Sequence, residues 1–279
     1  MAKAIVKGRI AGAEARVRRG YFEGRYGQLH VHNAIPPGGG FDEATPLLCL
    51  HESPSSGRVF QRLSRMLAQD RSVYAPDLPG FGESDAPPAR PSIGDYAAAI
   101  GDFCDTMRLK QIDVLGCGSG ALVAAELALI RGAQVRRVVL LGAPLASDAE
   151  REEFHRAPWP LLPAVDGSHL SIEWQRTLQS RAGLPLDAAA RGFADKLLAG
   201  PHAWWGMAAA LEYPARARLG HLTQPTLLVR ASADGADSVP HVRELLPRAR
   251  FLELAESCDE MLELTPESLL TPLREFLRG

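Results

Sequence analysis

The stretch VLGCGSG, residues 114–120, decides how this chain is read. Ile112, Val114 and Leu115 mark a short buried strand that runs into a glycine-rich turn. Directly after it, Ala121, Leu122, Val123, Ala124 and Ala125 begin an apolar helix that reaches Ile130, interrupted only by Glu126. An apolar strand that turns at once into an apolar helix is one unit of strand–helix alternation.

The same alternation extends in both directions. Upstream lie a hairpin over 21–31 punctuated by Gly24 and Gly27, a buried strand over 46–50, and a helix facing inward through Val59, Phe60, Leu63, Met66 and Leu67. A strand over 72–75 then ends in the loop PDLPGFG (76–82). Ser92 reads as the N-cap of a helix that buries Tyr96, Ile100, Phe103 and Met107. Downstream comes a strand over 137–141. Residues 146–221 carry no strand pattern, only helical stretches broken by Pro160, Pro163, Gly183, Pro185 and Pro201, and all four tryptophans fall there. Alternation resumes with strands over 225–229 and 251–254, a helix after Pro240, and a last helix opened by Thr265 and Pro266. Such an order demands a mostly parallel sheet flanked by helices on both faces, an α/β fold. The expected organisation is an N-terminal arm over 1–18, a core over 19–145 and 222–279, and a helical lid over 146–221. The lid would be inserted after the sixth strand, over the carboxyl ends of the strands where ligands bind in such sheets.

Composition narrows the function. The 279 residues have a formal net charge of −2, so bulk electrostatics recruits neither nucleic acid nor an anionic membrane. No run of about 20 apolar residues exists to span a bilayer. Lys3, Lys7, Arg9, Arg16 and Arg18 face the single acid Glu14 in the first eighteen residues, without the apolar stretch of a secretory signal. Cys49, Cys104, Cys117 and Cys258 are scattered, without metal-ligand spacing, and read as the reduced thiols of a cytoplasmic protein. A small molecule is the expected partner of a monomer or homodimer. No metal or organic cofactor is expected, because there is no dinucleotide fingerprint and no His/Cys cluster.

Four motifs in order, LLCLHESPSS (47–56), APDLPGFGESD (75–85), VLGCGSG (114–120) and PTLLVRASAD (225–234), resemble the α/β-hydrolase superfamily from Gly20 onward. That resemblance implies the α/β-hydrolase fold and a G-x-S-x-G nucleophile elbow, a strained turn with small residues two positions either side of the nucleophile. Gly116 and Gly120 supply the small residues, which leaves Gly118 where the family has its serine. A second frame centres on Ser119, flanked by Cys117 and Ala121, but the helix pattern fits the Gly118 frame better. By the same resemblance, Asp259 stands where the catalytic histidine belongs, and no histidine follows His241. Asp234 matches the triad acid, and the backbone amides of Ser53 and Ser119 match the oxyanion hole. Glu52 replaces the glycine usual after His51, and its carboxylate repels a developing negative charge unless it points away or is protonated. His51 reads as a residue tying the turn together. Cys117, Cys258, Trp159, Trp204 and Trp205 are further pocket candidates.

Three functional readings follow. One is an enzyme without a Ser-His-Asp triad, acting on a small, partly apolar carbonyl or ester-type compound as a non-standard hydrolase, lyase, isomerase or cyclase. Asp234 and Asp259 would form a proton-sharing pair there, and Gly118 would leave room for water or a substrate group. Another is a non-catalytic protein that binds a small apolar ligand. The third is a hydrolase using Ser119 or Cys117 with a relocated base from the lid, His155, His169 or His202.

Overall fold

Strands that are apolar on both faces need helices on both sides, and the chain supplies them. The computed structural model describes residues 15–37, 43–156, 163–232 and 238–279. The strands are β1 (Val17–Gly24), β2 (Gly27–Ala34), β3 (Ala44–Leu50), β4 (Arg71–Pro76), β5 (Ile112–Cys117), β6 (Val135–Leu141), β7 (Thr226–Ala231) and β8 (Arg250–Leu254). They form one sheet in the order β1-β2-β4-β3-β5-β6-β7-β8. The β1–β2 and β2–β4 pairs are antiparallel and all others parallel. Every residue of the central β4 and β5 is buried, as expected for strands covered on both faces.

The core helices are α1 (Gln61–Leu67), α2 (Ile93–Thr106) and α3 (Ser119–Ile130). Five helices follow β6: α4 (Asp148–Arg156), α5 (Ser168–Ser180), α6 (Leu186–Ala199), α7 (Trp205–Glu212) and α8 (Ala215–Leu219). The chain ends with α9 (Ser238–Leu245), α10 (Cys258–Glu263) and α11 (Glu267–Arg278). On one face of the sheet α2 and α3 bury Tyr96, Ile100, Phe103, Leu122 and Leu127. On the other, α1 and α11 bury Leu63, Leu67, Leu269, Leu273 and Phe276. Ser92 caps α2 in a reciprocal capping box with Asp95, the local signal that starts this helix.

The boundaries differ from the expected ones in two places. Val17 and Arg18, assigned to an N-terminal arm, pair with Ala34 and Asn33 as the start of β1. Helix α9 begins at Ser238, before Pro240 rather than after it, because proline is tolerated in a first turn where its missing N–H has no partner to lose. No described helix is long and apolar enough to cross a membrane.

Buried charges pin the insert and the sheet. Glu126, the acid interrupting the apolar run of α3, accepts from Tyr213 Oη at 2.6 Å and from Arg218 Nε and Nη2 at 3.0 and 2.6 Å. That ties the end of the insert to the core. In the sheet, Asp113 on β5 is fully buried and accepts from Arg136 Nε and Nη2 at 2.8 and 2.6 Å, with Arg71 Nη1 at 3.4 Å. A buried pair need not beat an apolar replacement in stability, but removing one partner strands the other charges. Asp113→Ala is therefore expected to cost about 3–5 kcal/mol of unfolding free energy, read from urea denaturation; a loss under about 1 kcal/mol would refute the account.

Candidate functional site

The turn after β5 is built on main-chain contacts that leave no room for side chains. A Cβ on Gly120 would collide with the carbonyl oxygens of Leu50 and His51, and one on Gly116 with the backbone of Gly120 and Ala121. Gly118 N–H donates to Leu141 O at 2.9 Å, and Gly118 holds φ 53° and ψ −125°, a conformation that disfavours residues with a side chain. Gly118 thus stands at the tip, and Ser119 is the first residue of α3.

The space over that tip is occupied. A Cβ on Gly118 would lie 2.6 Å from Glu52 Oε2 and 2.8 Å from Glu52 Cβ. The expectation that Gly118 vacates room for water or a substrate group is corrected accordingly: Glu52, entering from the loop after β3, fills it. Nor does Glu52 point away. The expected oxyanion hole is also altered, because Ser53 N–H already donates to Ser119 Oγ at 2.8 Å. Both ring nitrogens of His51 serve the main chain. Nε2 accepts from Leu78 N–H at 2.8 Å, so Nδ1 carries the proton and donates to Glu52 O at 2.7 Å. Burial pushes the His51 pKa below its usual value, and the neutral ring ties the 51–54 turn to the 76–82 loop, as its sequence suggested.

Asp259 sits in the first turn of α10, whose N-cap Ser257 accepts from Glu260 N–H at 3.1 Å. Its described partner is a cation. Arg181, at the C-terminal end of α5, donates through Nη2 to Asp259 Oδ1 at 3.1 Å and through Nη1 to Glu263 Oε1 at 2.8 Å. Burial pulls the Arg181 pKa down, but Asp259, Glu263 and Glu52 together outweigh it and raise the net value. Asp234 lies outside the described residues, so the expected Asp234–Asp259 pair does too. No sequence motif marked Arg181 or Glu263; Arg181 comes from an insert without a recognisable pattern, and only its placement reveals it.

The other candidates divide. Cys117 is buried at the end of β5, and Cys258 is buried with Sγ 2.7 Å from where a Cβ on Gly142 would stand. Trp204 is half-buried beside Phe154, with the Arg90 guanidinium 5.4 Å over its ring. The Trp205 and His202 rings lie 4.2 Å apart, tilted by 46°. Between the first turn of α7 and the core, Gly206 packs directly on Ser53 and Phe81, and Ser53 Oγ donates to Ala203 O at 3.4 Å. Trp159 lies outside the described residues. The histidines considered as relocated bases have other surroundings: His155 is exposed beside Phe154, His169 Nδ1 accepts from Ala164 N–H at 3.0 Å, and His202 packs at a tilt against Trp205.

Sequence reading also missed a buried group beneath the 76–82 loop. His30, His32 and Asp77 bring potential ligand atoms within 4.8 Å of one another. The Asp77 oxygens already accept from Gly57 N–H (2.7 Å), Glu83 N–H (3.0 Å) and His30 Nδ1 (2.8 Å), which makes the group a satisfied hydrogen-bond hub. Burial pushes the His32 pKa down to about 4, against the pull of Asp77.

Two outcomes are expected. Below pH 6.5 the unfolded chain takes up a proton that buried His32 refuses until about pH 4, so stability falls as pH drops through that window. The loss attributable to His32 is about 3 kcal/mol. His32→Gln should flatten this limb of a stability–pH curve; an unchanged slope would rule His32 out. Gly118→Ser should lower stability by about 1–3 kcal/mol through positive φ and collision with Glu52, and should confer no hydrolysis of nitrophenyl esters.

Comparison with known proteins places the chain. A family model described as alpha/beta hydrolase fold matches residues 45–264. A 2-hydroxymuconate semialdehyde hydrolase from a Pseudomonas species is 32% identical over 118 residues, 40% of this chain and 39% of that protein. Lipase LipV of Mycobacterium tuberculosis is 33% identical over 124 residues, 44% of each chain. The chain thus matches less than half the length of these curated relatives. The structure of a thermophilic esterase from Thermogutta terrifontis superposes with a TM-score of 0.73 at 18% identity, covering 94% of this chain and 98% of that one. With an eight-stranded, mostly parallel sheet and a glycine-tipped turn between β5 and α3, the chain belongs to the α/β-hydrolase-fold family.

Proposed function

We propose that this protein is an enzyme that transfers protons on a small, partly apolar carbonyl compound, with the Glu52 carboxylate in place of a serine nucleophile. The observation that carries the reading is the position of Glu52 Oε2, 2.6 Å from the Cβ that Gly118 lacks. A residue without a side chain cannot form an acyl-enzyme, whereas a carboxylate at that place can remove a proton from the carbon beside a carbonyl, or from water. Ser119 supplies the complement. Its Oγ accepts from Ser53 N–H, so its own O–H is left to donate to a carbonyl oxygen that gains negative charge as the proton leaves. Glu52, protonated once it has taken the proton, returns it to the product, and Asp259, ion-paired with Arg181, is the second carboxylate of the site. The helices α4–α8 act as a lid that excludes water, with Trp204 and Trp205 as apolar wall. This chemistry suits an isomerase, lyase or cyclase step, and, when water is the acid deprotonated, hydrolysis without a covalent intermediate. Relatives named as hydrolases of small molecules support the substrate size.

A second reading, a ligand-binding protein without turnover, is favoured by two observations: Ser119 Oγ already occupies the Ser53 amide, and Gly206 of the lid is seated on Ser53. Incubation with a panel of small apolar ketones, esters and thioesters in deuterated water separates the two. The enzymatic reading expects deuterium at the carbon next to the carbonyl, or product, seen by mass spectrometry. Glu52→Gln should lower the rate at least about 100-fold and Ser119→Ala about 10–100-fold. Quenching of tryptophan fluorescence without exchange or product would favour binding alone. A full rate in Glu52→Gln, or stoichiometric labelling of Ser119 by a fluorophosphonate, would sink the proposal.

A further inference from the structure

The insert contributes one buried cation to the floor of this site. Arg181 is 9% exposed, sits at the C-terminal end of α5, and bridges Asp259 and Glu263 of α10, with Glu52 near enough to favour its charge. Its path is cut into the neighbouring helix: a Cβ on Gly192 of α6 would lie 2.6 Å from Arg181 Nε and 2.7 Å from Cζ. Arg191 of α6 adds a second cation, with Nε 3.5 Å from Glu263 and Nη1 2.8 Å from Asp187. Other described charges near the cluster have partners of their own: Asp195 of α6 pairs with Arg58 at 2.8 Å, Arg62 of α1 donates to Glu263 O at 3.3 Å, and His51 is committed to the main chain on both ring nitrogens. Two carboxylates, Asp259 and Glu263, therefore meet on a guanidinium delivered by the insert, and the charge of Glu52 acts on it as well.

We propose that Arg181 is the positioning residue of this site, the contact through which docking of the insert holds Glu52 and Asp259 charged and fixed in place. The physical reason is the low polarity of the surroundings. Carboxylates crowded under a closed insert repel each other and resist ionisation, and a cation among them reverses both tendencies. Lifting α5 and α6 withdraws the cation but admits water that solvates the acids, so the cation matters in the closed state, where it keeps the carboxylates ionised with no water to do so. The inference rests on the reading of Glu52 as the reactive group for its catalytic meaning, although its structural content can be measured without turnover.

The test is carboxyl-carbon NMR titration of glutamate- and aspartate-labelled protein, with Glu52→Gln and Asp259→Asn used to assign the two signals. Alongside it, hydrogen exchange of α5 and α6 reports docking of the insert. In Arg181→Gln the Glu52 and Asp259 midpoints are expected to rise by about one unit or more, with exchange in α5 and α6 at least about 10-fold faster. Arg181→Lys should restore part of both effects, because it keeps the charge and loses the two-pronged geometry. Gly192→Leu displaces the guanidinium without removing any charge and should act in the same direction as Arg181→Gln, which guards against a fold lost through an unpaired buried acid. Unchanged midpoints in folded Arg181→Gln or Gly192→Leu protein would overturn the proposal. Midpoints that shift while Glu52→Gln turns over normally would leave Arg181 in its positioning role and remove Glu52 from the chemistry. Unchanged midpoints with an inactive Glu52→Gln would do the reverse.

Discussion

The contact on which the site depends is the approach of two backbones, the glycine-rich turn after β5 against the end of β3. Gly120 rests on the carbonyl oxygens of Leu50 and His51, and Gly116 on the turn itself, so neither position admits a Cβ. This brings the loop carrying residue 52 over the tip carrying residue 118, with space for one side chain between them. Glycine at 118 and glutamate at 52 are therefore one feature. A side chain at the tip would compete for the volume that Glu52 fills, and a positive φ already disfavours any residue but glycine there.

A carboxylate in that position sets the electrostatics of everything around it. Taking a charge out of water costs several kcal/mol unless it is partnered. One cation whose charge Glu52 favours is Arg181, whose guanidinium pairs with Asp259 and Glu263. The insert is thus held by the seating of Gly206 on Ser53 and by ion pairs, Glu126 with Arg218 at one end and Arg181 with Asp259 and Glu263 at the other. The two kinds of tether respond differently to conditions. Ion pairs weaken with salt and with protonation of their acids, whereas seating of a glycine on a serine does not.

This division also explains what was legible in the sequence. The strand–helix alternation, the N-cap at Ser92, the glycine turn and its tip at Gly118 follow from local periodicity and backbone sterics, which short segments encode. His51 as a tie within its turn was readable from its motif. The orientation of Glu52 was not, since nothing in a sequence says whether an acid beside a turn points into a site or away from it. Arg181 and Glu263 were invisible because they meet across 82 positions of chain, and such a pairing leaves no local pattern. The hub of His30, His32 and Asp77 escaped notice for the same reason, its members lying on β2 and just after β4, paired antiparallel.

On the proposed reading, the two walls of the site have exchanged tasks. In the serine pattern the elbow carries the reactive atom and the loop after β3 supplies a donor to the developing oxyanion. Here the loop after β3 carries the carboxylate, and the elbow helix carries the hydroxyl donor, Ser119, itself fed by the Ser53 amide. The exchange keeps the separation between base and donor that the fold provides, because both walls stay where the backbone contact puts them. What changes is the chemistry that fits. A carboxylate is a poor acyl acceptor but a competent base, and a neutral hydroxyl steadies an enolate without the covalent capture that a serine at the tip would permit. A fold built around a covalent step can in this way serve proton transfer with no change in its framework.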